Sequence, residues 1–68
     1  MEFLLVTYPH EREVLIEGVE AGLTNQLITL APGTYTITLG PPKDFKPRQQ
    51  EVVVEDTSPL EPMEIVFA

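Results

Sequence analysis

The chain has no cysteine and no tryptophan, a single histidine (His10), a single serine (Ser58) and only four basic residues among 68. Each shortage excludes something. Without cysteine no disulfide can staple the fold, and no Cys/His set can hold a structural zinc ion. His10 and Ser58 stand far apart in the chain, without a Gly-x-Ser-x-Gly context or a thiol nucleophile, so no catalytic triad is expected and His10 reads as an exposed turn residue. Four basic residues against eleven acidic ones give a formal charge of −7. That charge opposes the phosphate neutralisation on which nucleic-acid binding depends, and it disfavours anionic membrane surfaces. No run approaches the roughly 20 apolar residues needed to span a bilayer. Phe3-Leu4-Leu5-Val6 is apolar but short and lacks a basic leader, so it reads as a strand and not as a signal peptide. Compartment stays conditional: the cytoplasm if Met1 is the native start, the cell envelope if a signal peptide lies upstream.

The acidic residues are scattered, which marks a solvated surface. Pairs such as Glu11/Glu13, Glu17/Glu20 and Glu55/Asp56 could share acid and base roles only in a shaped cleft, which so short a chain can hardly enclose. Calcium would find oxygen ligands in Glu17, Glu20 and Asp56, but no Asp-x-Asp-x-Asp-Gly run gathers them. Neither metal nor cofactor is expected.

What the chain does hold is alternation interrupted by glycine and proline. Strands are expected at Glu2–Tyr8, Glu13–Glu17, Gln26–Leu30, Thr34–Leu39, Gln50–Glu55 and from Met63 to the end, with Glu20–Thr24 a connector between two glycines. The clearest period of two sets Tyr35, Ile37 and Leu39 against Thr34, Thr36 and Thr38. Pro32-Gly33 is the pair that a type II turn prefers, and the three prolines of Gly40–Pro47 exclude regular sheet there. Helical periodicity is missing throughout. The pattern predicts one all-β domain over residues 1–68, a small antiparallel β-sandwich of six or seven short strands.

A more specific likeness lies in the order Val14-x-Ile16-Glu17-Gly18, Gly22-x-Thr24, then Leu30-x-Pro32-Gly33-x-Tyr35-x-Ile37-x-Leu39, followed by Phe45-Lys46-Pro47 and Val52-Val53-Val54. Over about residues 13 to 55 this resembles the PEGA domain family. The chain departs from that pattern at Asn25, where the family carries proline, and before Phe45, where the usual glycine is missing. The resemblance implies a β-sandwich similar to transthyretin-like and carboxypeptidase regulatory-like modules, which recur in envelope and signalling proteins as interaction modules without catalytic residues.

Two surfaces are therefore expected to matter. A chain this short buries only about 60% of its unfolded surface, so association with a protein partner, above all a second copy, would add burial. The surplus apolar residues assigned to outward faces are Leu4, Val6, Leu15, Val53 and Val66. The second surface is the proline-rich loop, where Phe45 stands among Lys43, Lys46 and Arg48, three of the four basic residues. An exposed ring there could stack on carbohydrate or hold an acidic partner, making the chain a carbohydrate- or envelope-binding domain, whereas a ring folded inward would plug the sandwich. The threonine row reads as ordinary exposed strand surface before it reads as a polysaccharide-binding face.

Overall fold

The computed structural model describes all residues, Met1–Ala68. Seven strands and no helix make up its regular structure: β1 (Glu2–Thr7), β2 (Glu13–Ile16), β3 (Val19–Leu23), β4 (Leu27–Leu30), β5 (Gly33–Leu39), β6 (Gln50–Val54) and β7 (Met63–Val66). They form a three-stranded sheet ordered β4-β1-β7 and a four-stranded sheet ordered β3-β2-β5-β6. The shortest dimension is 17 Å, room for two sheets about 10 Å apart with one shared layer of side chains. The fold is a small all-β sandwich.

The core follows from the period of two. Leu4, Val6 and Tyr8 of the first strand and its exit meet Ile28, Ile65 and Phe67 from the same sheet. Val14, Ile37, Leu39 and Val54 face them from the other. Leu4 and Val6 are fully buried, which corrects their assignment to an outward face. The outward side of β1 carries Phe3 and Leu5, both half-buried. Both faces of this strand are apolar, so alternation alone could not choose between the two frames. Tyr8 decides the frame: its ring packs edge-on against Phe45 at 6.4 Å and draws Leu4 and Val6 inward with it.

Three further expectations change. The stretch expected as a connector at Glu20–Thr24 lies almost wholly within a strand, β3, antiparallel to β2 through a two-residue turn. Glu17 (φ 53°) and Gly18 (φ 79°) both take the left-handed region, the requirement of a type I′ hairpin. Secondly, the sandwich is not wholly antiparallel, because β1 and β7 pair in parallel with Leu4 opposite Met63 and Val6 opposite Ile65. The two strands are far apart in sequence, so no tight hairpin dictates their direction. Thirdly, Gly33 has φ 154°, far from the value near +80° of a type II turn, and already pairs with Val54 as the first residue of β5.

Gly22 is needed for packing. A Cβ built on it would stand 2.9 Å from Ile28 Cγ1, so β3 approaches the β4 side chain more closely than any other residue allows.

Candidate functional site

The irregular segment 40–49, between β5 and β6, gathers three of the four basic residues of the chain and one partner of its ion pair. Its inner side is tied down. Phe45 is 7% exposed and packs edge-to-face on Phe67 at 5.7 Å as well as on Tyr8. Its ring therefore fills the end of the core. Lys46 and Ala68 exchange backbone hydrogen bonds of 2.6 and 2.7 Å, which fasten the segment to the C-terminus. The Thr38 hydroxyl donates to the Arg48 carbonyl at 2.6 Å.

A charged clamp holds the other half of the segment. Arg12 Nη1 donates to the Pro42 carbonyl at 2.8 Å and to Asp44 Oδ1 at 2.9 Å, the one ion pair of the molecule. The guanidinium also lies 5.3 Å from the centre of the Tyr8 ring, and the Tyr8 hydroxyl donates to the same Asp44 oxygen at 3.2 Å. The hydrogen bond from Arg12 holds the Asp44 carboxyl below its ordinary range, with Tyr8 acting in the same direction. Desolvation, then the Asp44 hydrogen bond, raises the Tyr8 hydroxyl. The arrangement stabilises charges that are already present.

On the outer side, the segment roofs a concavity of 490 Å³ at one end of the four-stranded sheet. Leu15 and Thr38, directly opposite each other on β2 and β5, supply part of its floor. Leu39, Pro41 and Phe45 add apolar wall, and Lys43, Arg48 and Gln49 add the polar groups. The structure thus joins Lys43, Phe45 and Arg48, three of the residues singled out in the loop, with Leu15 from the expected interface. Lys46 is exposed and stands outside this lining. Of the remaining expected interface residues, Val53 (54% exposed, β6) and Val66 (63% exposed, β7) lie on edge strands of different sheets.

Three of the residues weighed for catalysis take part in local hydrogen bonds, Ser58 and Glu17 through their side chains and His10 through its backbone carbonyl. The Ser58 hydroxyl accepts from the Glu61 N–H at 3.0 Å, and the His10 carbonyl accepts from the Thr24 hydroxyl at 2.8 Å. Glu17 accepts from the Thr36 N–H at 2.6 Å. No group of three or more His, Asp or Glu side chains is arranged to hold a metal ion.

Sequence reasoning missed the clamp and a second polar knot beside it. Thr24 is 1% exposed, and its hydroxyl also accepts the Arg12 N–H at 2.8 Å. Asn25 sits at φ 63° and reaches back to Tyr8, accepting its N–H at 3.3 Å and donating to its carbonyl at 2.9 Å. Proline, locked near −65°, cannot take that conformation, so the turn in this chain is not the one a proline would make. The signal for this knot was present, because Thr-Asn after a glycine is a pair whose side chains bond nearby backbone. Arg12 and Asp44 carried none, being separated by four strands.

Comparisons of the chain with protein-family models, with curated proteins and with solved structures find no match.

Proposed function

We propose that this protein is a noncatalytic interaction module, PEGA-like in kind, that self-associates along the side of the sandwich formed by β6 and β7. The observation that supports this reading is where its exposed aliphatic residues fall. Within strands, Val19, Leu27, Val53 and Val66 are the large hydrophobic residues left exposed, and they sit on β3, β4, β6 and β7, the four sheet edges. An edge strand offers unpaired backbone groups to another chain, and natural edges are commonly blunted by lysine or by proline within the strand. Neither residue occurs within β6 or β7. The Gln50 side chain donates to the Val66 carbonyl at 2.8 Å and holds these two edges together as one surface. A second copy pairing there would cover Val53 or Val66 and add the burial that so small a domain lacks.

Sedimentation velocity tests this reading. Dimer should accumulate as concentration rises toward about 1 mM, and Val53→Lys with Val66→Lys should return the protein to monomer with its circular dichroism unchanged. A monomer throughout that range defeats self-association.

A further inference from the structure

We propose that the concavity beneath segment 40–49 is a binding site for a small monocarboxylate with an apolar body, a role separate from association along β6 and β7. Four observations lead there. The first is size: 490 Å³ lies within the range of roughly 300–1,000 Å³ typical of small-ligand pockets. The second is the lining, where half-buried Leu15 and exposed Pro41 supply the accessible apolar wall, Leu39 and Phe45 back it from the core, and Gln49 supplies a hydrogen-bonding amide. The third is charge. The chain carries eleven acidic residues, yet none lines this concavity, whereas two of its four basic residues, Lys43 and Arg48, do. Neither makes an ion pair, since Arg12–Asp44 accounts for the only one. In a molecule of net charge −7 this concavity offers an anion two cations and no lining carboxylate. The fourth is rigidity. Phe45 is anchored in the core, Asp44 in the clamp and Lys46 on the terminus, so the wall between Lys43 and Arg48 is already built and little ordering cost falls on binding.

The two parts of the ligand follow from the two parts of the lining. An aryl or alkyl body sits against Leu15 and Pro41, and its carboxylate lies between the ammonium of Lys43 and the guanidinium of Arg48, which can hold both oxygens at once. Carbohydrate fits less well, because the Phe45 ring packs inward against Phe67 and Tyr8 and does not offer an exposed stacking face.

Amide chemical-shift titration of the whole chain with 3-phenylpropionate, its uncharged amide 3-phenylpropionamide, and N-acetylglucosamine tests the site. The acid should saturate, with the largest shifts at Leu15, Thr38, Arg48 and Gln49. It should bind about fivefold or more tightly than the amide, the ratio expected when two partly exposed cations each contribute a modest attraction. The double variant Lys43→Gln/Arg48→Gln, both side chains being exposed, should keep the fold and erase that ratio. Equal affinity for acid and amide overturns the proposal, as does a shift pattern spread over the surface, and binding of the neutral sugar in preference to the acid reassigns the site to carbohydrate. Tighter binding of the peptide acetyl-Gly-Gly-Phe than of the free acid would likewise overturn it in favour of a protein carboxyl terminus. The Val53→Lys/Val66→Lys variant should bind the acid unchanged, so failure of the dimer and failure of the site are told apart.

Discussion

Segments 40–49 and 55–62 are both proline-bearing, both lack regular structure, and both connect strands of the sandwich, yet they are held in opposite ways. The first inserts a phenyl ring into the core and is tied to distant strands by the Arg12 clamp and the Lys46–Ala68 pair. The second inserts nothing; its one bulky aliphatic residue, Leu60, is 93% exposed. It is held by Glu2, whose carboxylate accepts the Thr57 N–H at 2.9 Å and the Thr57 hydroxyl at 2.6 Å, while Thr57 Oγ1 accepts the Phe3 N–H at 2.8 Å. Irregular backbone therefore needs an anchor that substitutes for ladder hydrogen bonds, and this anchor can be apolar or wholly polar. The first segment combines both kinds, and the one concavity of the molecule lies beneath it.

The comparison can be broken most directly at its largest contrast. Phe45→Ala should cost about 3–5 kcal/mol, because it removes a buried ring and leaves a cavity between Tyr8 and Phe67. Leu60→Ala should stay within about 0.5 kcal/mol of the parent. Both values come from urea unfolding, and similar losses in the two variants would show that the segments do not differ in anchorage. Next in size is Thr57→Val, which keeps the shape but removes the hydroxyl from the Glu2 knot; a loss of about 1–2 kcal/mol is expected in the same assay. A neutral result would mean that the second segment rests on the strands it joins and not on its polar anchor.

This contrast was half legible in the sequence. Alternation at Thr34–Leu39 and Gln50–Val54 set those strands and their inward faces, since each has a distinct inner and outer side. It failed at β1, where apolar residues occupy both sides and only the tertiary position of Tyr8 selects the frame. It failed again at β3, where Glu20, Ala21 and Gly22 are poor strand formers that a type I′ hairpin carries into the sheet. In the site, the gathering of Lys43, Phe45 and Arg48 was visible as local composition. Leu15, Arg12 and the C-terminus reach the same loop only because β2, β5 and the chain end meet there, and no spacing rule encodes that convergence.

The smallest expected effect separates the two anchors by pH. Asp44 is held below its ordinary value of 3.8, first by the hydrogen bond from Arg12, and Glu2 below its ordinary value of 4.5, first by the Thr57 hydroxyl. A carboxyl whose folded value is lowered contributes stability that is complete above its unfolded value and disappears as pH falls through the folded one. Both anchors are thus intact at neutral pH. The Glu2 contribution begins to fade once pH drops below about 4.5, and that of Asp44 only below about 3.8. Thermal unfolding followed from pH 7 to pH 2 should show the melting temperature falling through this window in the parent. Glu2→Gln and Asp44→Asn should each flatten part of the fall. The Asp44 share should also shrink in high salt, because its carboxylate is partly exposed and screened ions weaken a charged pair more than a hydroxyl–carboxylate bond. If both variants retain the parent's acid limb, neither carboxylate is the anchor of its segment, and the division between an ion-paired clamp and a carboxylate–hydroxyl knot fails.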